Sequence, residues 1–118
     1  MSEGAAAWPG PVDEICRGLP GVTHVIQWGG SDVYKVGGKV FAICGEGAVS
    51  FKVTEIGFEV LTGDGGPARQ APYLAKGQWV IVNLADATPE DLNAWLVTSH
   101  DLIAAKLTKK ARLELGLA

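Results

Sequence analysis

The sequence has few cysteines, no long apolar run, no excess of positive charge and none of the glycine-rich signatures that hold phosphate. Each shortage closes off a class of protein. Cys16 and Cys44 stand far apart with no second pair, so there is no disulfide framework, and both read as reduced, buried thiols. No apolar stretch approaches the roughly 20 residues that span a bilayer. The start, MSEGAAAWPGP, lacks the basic residues and apolar run of a signal peptide. The expected location is therefore the cytoplasm, with no membrane partner. A formal net charge of −3 argues against a protein that coats nucleic acid electrostatically, because that task usually leaves a basic excess. The charge is uneven all the same: Lys106, Lys109, Lys110 and Arg112 stand near the end against Glu114 alone.

Catalytic and metal-binding signatures are missing too. Neither GxxxxGK[ST] nor GxGxxG occurs, and the glycines of Val36-Gly37-Gly38-Lys39 are followed by a strand pattern where a phosphate loop needs a helix. Those glycines read as a hairpin turn. Cys16, His24, Cys44 and His100 fall on four separate elements without the close pairs of a zinc site, so no metal and no cofactor are expected. Ser99-His100-Asp101 reads like a triad, but consecutive helical residues point about 100° apart and cannot hydrogen-bond in series. Ser99 instead reads as a small core residue. With no positioned acid, base or nucleophile, the expectation is a non-catalytic protein.

What remains is an ordinary globular composition. The chain has 118 residues, 47% hydrophobic and 19% charged, enough for one domain that buries roughly 65% of its unfolded surface. Residues 1–10 read as a flexible tail and 11–118 as the single domain. Pro11 opens a short helix with Val12, Ile15, Cys16 and Leu19 on one face, ended by Pro20-Gly21. Glycine-broken β patterns follow: Thr23 to Trp28, Val33 to Val36, Lys39 to Cys44 and Ala48 to Val53. A two-residue turn at Gly37-Gly38 sets Tyr34 opposite Phe41 and Val33 opposite Ala42. That register sends Tyr34, Val36, Phe41 and Ile43 inward and Lys35, Ala42 and Cys44 to the other face.

In the fourth strand Val49, Phe51 and Val53 point inward, and Ser50 and Lys52 outward. Thr54 caps a helix carrying Ile56, Val60 and Leu61. Thr62 to Gly77 is a long glycine- and proline-containing connection, of the length that is often functional. Gln78 to Leu84 is a fifth strand. Thr88-Pro89-Glu90-Asp91 then starts a long helix with an apolar stripe through Leu92, Trp95, Leu96, Ser99, Leu102, Ile103 and Lys106. The expected fold is α+β in two layers: an antiparallel meander of about five strands with N- and C-terminal helices on one face and the other face open.

Two binding surfaces suggest themselves. Lys35 and Lys52 point to the open face, Lys39 sits at the hairpin tip and Lys76 precedes Trp79. Lysines beside exposed aromatic or β-branched residues on a sheet can track a nucleic-acid backbone. The alternative is a small-molecule or protein site under the 62–77 loop, with Arg69, Tyr73 and Trp79 as lining.

VYKVGGKVFA, VSFKVTE, PYLAKGQWVIVNL and TSHDLIAAKLTKKAR, in that order, together resemble the MmcQ/YjbR family of small bacterial proteins. The matching residues are Tyr34, Lys35, Val36, Lys39, Phe41 and Ala42, then Ser50 and Lys52, then Pro72, Leu74, Lys76 and Trp79, then Ser99. Leu19-Pro20-Gly21 fits the family's first turn, so the resemblance covers about residues 11–115. It implies a CyaY-like (frataxin-like) fold, and many members are described as DNA-binding through a double-wing arrangement. It brings no catalytic set. Ala75 stands where the family often has Asn, and His100 where it usually has Tyr. The acidic ridge of iron-handling frataxins is absent from the first helix, which offers only Asp13 and Glu14. The lead expectation is a monomeric, non-catalytic binding protein contacting DNA through Lys35, Lys39, Lys52 and Lys76; the alternative is a ligand or protein site at the loop.

Overall fold

A computed structural model of the chain describes residues 10–117. The expected tail, with Trp8, lies outside them except for Gly10, which opens helix α1 (Gly10–Arg17). Strands β1 (Val22–Gln27), β2 (Ser31–Val36), β3 (Lys39–Gly45) and β4 (Ala48–Lys52) follow as a meander. Helix α2 (Glu55–Thr62), strands β5 (Ala68–Gln70) and β6 (Trp79–Asn83), and helices α3 (Pro89–Ala104) and α4 (Lys109–Glu114) complete the domain. The six strands form one antiparallel sheet in the order β1-β2-β3-β4-β6-β5. The α+β architecture is as expected, with one strand more: β5 is an edge strand inside the long connection.

Local signals place the helices. The Thr54 hydroxyl accepts from the Gly57 N–H at 2.9 Å and starts α2. At α3 the Thr88 hydroxyl accepts from the Asp91 N–H, and the Asp91 carboxylate accepts from the Thr88 N–H, at 3.1 and 3.3 Å. This reciprocal cap satisfies backbone donors that the helix itself cannot. The expected continuous C-terminal helix is interrupted: α3 stops at Ala104, and Thr108 caps a separate α4. Between them Leu107 drops onto the β2–β3 turn. A side chain at Gly37 would sit 2.7 Å from the Leu107 methyls, and Gly37 has φ +58°. Glycine is required there for conformation and for space.

Helices α1 and α3 cover one face of the sheet. Val12, Cys16, Leu92, Leu96 and Ile103 pack on Tyr34, Val36, Phe41, Val49, Phe51, Val80 and Val82. Trp95 stacks on Phe51, with ring centroids 5.4 Å apart. The β2–β3 register corrects the sequence reading. Lys35↔Val40 and Val36↔Lys39 follow from the turn, but Tyr34 pairs with Ala42 and Val33 with Ile43, so Phe41 is an extra residue in β3. Such a bulge reverses the alternation beyond it. Ala42 and Cys44 therefore enter the core, and Ile43, expected inward, faces the open side.

The bulge also leaves backbone groups to satisfy, because the β3–β4 ladder runs from Gly45↔Ala48 only as far as Ala42↔Phe51. Ser99 of α3 supplies the missing link. Its hydroxyl accepts from the Lys52 N–H at 2.9 Å and donates to the Phe41 carbonyl at 2.6 Å, fully buried. Ser99 is in the core stripe as expected, but as a bridge between strands more than as filler.

Candidate functional site

On the helix-covered face every prominent polar side chain has a partner. Arg17 donates to Asp13 at 2.8 Å and to His24 Nδ1 at 3.0 Å, and the Tyr34 hydroxyl donates to Asp13 at 2.8 Å. Guanidinium has only donors, so His24 Nδ1 must be the acceptor; Nε2 then carries the proton and donates to Asp32 at 2.7 Å. Burial alone would raise the Asp13 carboxyl pKa, but hydrogen bonds from Arg17 and Tyr34 outweigh it and hold it below the usual carboxylate range. His100, buried edge-on to Phe41, donates from Nε2 to the Pro20 carbonyl at 2.9 Å. Burial, reinforced by nearby Cys44, pushes the Cys16 thiol far above its ordinary pKa, which makes it a poor nucleophile. His100 Nδ1 lies 3.7 Å from exposed Asp101, but the Ser99 hydroxyl is engaged by the Lys52 N–H and the Phe41 carbonyl, so the three form no triad. Among the described residues, no three His, Cys, Asp or Glu side chains gather to hold a metal ion.

The lysines are more scattered than the sequence suggested. Lys35 is half-buried on β2, Lys39 is exposed beside the hairpin tip, and Lys76 is exposed on the loop between β5 and β6. Lys35 and Lys52 share the open face and lie two strands apart, about 10 Å by strand spacing. Lys52 was expected outward and solvated, but it is 8% exposed and donates from Nζ to Gln78 Oε1 at 2.7 Å. Burial, then the neighbouring Lys106 ammonium, lowers its pKa.

The open face instead carries a groove. Register fixes its floor: Val33↔Ile43, Ile43↔Ser50 and Ser50↔Ile81 form one rung across four strands, with every side chain on the face away from α1 and α3. Ile43, Ser50 and Ile81, joined by Ala48, floor a cavity of ≈ 680 Å³. One wall is the β1–β2 turn, Trp28 to Ser31; the opposite wall is Pro72, Tyr73 and Leu74; Gly45 and Glu46 close one end. A side chain at Gly45 would come within 2.6 Å of the Ser31 hydroxyl, so glycine keeps that corner open. The volume falls within the ordinary range for small-molecule sites, about 300–1,000 Å³.

Three features mark this groove. Trp28, Glu46 and Tyr73, the non-glycine residues with left-handed backbone (φ 51°, 54° and 64°) among those described, all line it. For Glu46 a two-residue hairpin turn accounts for the conformation, but a bulky aromatic in this region is a costly arrangement. Trp28 is 63% exposed and Tyr73 105%, so neither ring is held by the protein's own packing. The Ser50 hydroxyl lines the open cavity and has no partner among the described residues. On the same face Gln27, cross-strand from Ser31, has a buried Oε1 that also lacks one.

The wall bearing Tyr73 is firm. The Gln70 amide donates to the carbonyls of Ala71, Leu74 and Ala75, and its oxygen accepts from the Gly77 N–H at 2.9 Å. One side chain thus pins the whole turn, with space left beneath it. Of the residues expected at the loop site, Tyr73 lines this cavity. Arg69 sits cross-strand from Ile81 but outside the lining, and Trp79, cross-strand from Lys52, packs against the edge of the core. Trp28, Ile43, Glu46, Ser50 and Ile81 were not anticipated. The double glycine after Trp28 was the visible signal for one wall; Ile43 was hidden by the bulge.

The YjbR family model matches residues 17–102. The fold is similar to the crystal structure of Deinococcus radiodurans protein DR2400, whose domain is designated DUF419. The TM-score is 0.80 and the identity 27%, over 91% of this chain and 86% of that one. No curated protein matches the sequence.

Proposed function

We propose, from the premise that the chain belongs to the YjbR family, that it is a non-catalytic binding protein whose small-molecule ligand seats in the open-face groove. The observation that carries this reading is the ≈ 680 Å³ cavity on a face that no helix covers, walled by two exposed aromatic rings. A site of that size with an apolar floor and few polar groups suits a small organic ligand. Ser99 and His100, elsewhere in the molecule, are buried and hydrogen-bonded to backbone, which supports binding over catalysis.

The nucleic-acid reading has weaker support. Phosphate contacts need free ammonium groups, and Lys52 is buried on Gln78 while Lys35 is half-buried. Lys39 and Lys76 are left as the exposed members of the set, one at the start of β3 and the other on the loop between β5 and β6. The test is amide chemical-shift mapping with a mixed set of organic fragments and, separately, a DNA duplex at low salt. The expected outcome is fragment-induced shifts at Trp28, Ile43, Ser50, Tyr73 and Ile81. Shifts from the duplex alone, centred on Lys35 and Lys39 and lost as salt rises, would overturn the groove in favour of DNA.

A further inference from the structure

We propose that the ligand is a planar aromatic amine, its ring held between Trp28 and Tyr73 and its N–H groups turned toward Glu46 and Ser50; this rests on the groove reading above. The ring shape follows from the walls. Trp28 and Tyr73 stand on opposite sides of a flat floor of Ile43, Ala48 and Ile81, and both rings are exposed to solvent at a backbone geometry that aromatic residues rarely adopt. Two exposed aromatic side chains at the walls of an apolar floor favour another flat π system, through stacking and area burial together.

The donor character follows from the polar inventory. Glu46 is the charged residue in the lining, and a carboxylate only accepts. Ser50, more than nine-tenths buried, offers a hydroxyl with no protein partner among the described residues. A ligand that carries donors satisfies Glu46, and the Ser50 hydroxyl can accept from it as well. An amino-substituted or cationic ring does so; a carboxylate or phosphate would meet the like charge of Glu46. Arg69 and Lys76 lie outside the lining and offer an anion no seat within it.

The test uses three probes of similar size on the full chain: 1-naphthylmethylamine (planar, cationic), 1-naphthaleneacetate (planar, anionic) and cyclohexylmethylamine (cationic, not planar). Amide and indole chemical shifts report both affinity and location. The cationic naphthyl probe should shift Trp28, Glu46, Ser50 and Tyr73 and bind about five-fold or more tighter than either of the others. Glu46→Gln should shrink its advantage over the anion, and Trp28→Ala or Tyr73→Ala should each weaken it about five-fold. Both aromatics are exposed, so the variants' unchanged amide spectra elsewhere will show that they fold. If the anion binds the groove as tightly as the amine, or the Trp28→Ala/Tyr73→Ala double variant binds unchanged, the ligand class is wrong while the groove stands. If none of the probes shifts the groove residues, both readings fail.

Discussion

The two faces of one sheet are built to different rules. Under α1 and α3 the polar groups are paired: Ser99 closes the bulge, His100 holds the α1–β1 turn, and Asp13, Arg17, His24, Asp32 and Tyr34 form a connected chain. On the open face the buried Gln27 Oε1 lacks a partner, two aromatic residues sit at left-handed φ, and a cavity remains. A buried polar group without a partner and a bulky residue at positive φ both oppose folding. Their concentration around one groove, with the opposite face satisfied, suggests that stability resides in the helix-covered face and binding in the other. Substitutions can separate the two.

The largest effect is expected on the covered face. Ser99→Ala removes a hydroxyl that serves two buried backbone groups at once, and should lower the unfolding free energy by roughly 3 kcal/mol, measured by urea denaturation. Groove binding should persist in the folded fraction. Next comes Tyr34→Phe, which deletes the hydrogen bond to Asp13 and should cost about 1–1.5 kcal/mol near neutral pH. It carries a pH signature. Because the Asp13 pKa is depressed in the folded protein, its contribution is present above the unfolded carboxylate value, about 4, and is lost as pH falls through the lower folded value. Tyr34→Phe should therefore flatten the loss of stability between pH 5 and pH 2 on acid titration.

Open-face substitutions should act with the opposite sign. Tyr73→Gly and Trp28→Gly each relieve a left-handed backbone at little packing loss. Each should raise stability by about 0.5–1 kcal/mol, net of the extra freedom glycine has when unfolded. The smallest change is expected from Lys52→Met. It loses the bond to Gln78 but no longer buries an ammonium near Lys106, so stability should move by less than about 1 kcal/mol. Thermal melts of these variants, run together, would sharpen or erase the contrast between the faces.

How much could be read beforehand follows the same division. Caps at Thr54 and Thr88, the Gly37-Gly38 turn and the apolar stripe of α3 are local signals, and they gave the two-layer fold. The bulge at Phe41 is not local: the backbone groups it leaves are satisfied by Ser99, which lies far along the chain, and a one-residue shift was enough to exchange Ile43 with Ala42 and Cys44. The three-residue strand β5 is too short for a periodic signature. Lys52 reads as a solvated lysine until Gln78 is folded over it. The groove combines all of these, since register sets its floor and loops set its walls. Only Tyr73 could be named in advance.

The double variant Trp28→Gly/Tyr73→Gly separates a folding role from a binding role, with its melting temperature and its groove shifts in the presence of 1-naphthylmethylamine measured on the same sample. A melting temperature above that of the parent, together with loss of the shifts at Ile43, Ser50 and Ile81, is the predicted result. A lower melting temperature with the shifts retained would mean the opposite: that the two aromatics serve the fold and not a ligand.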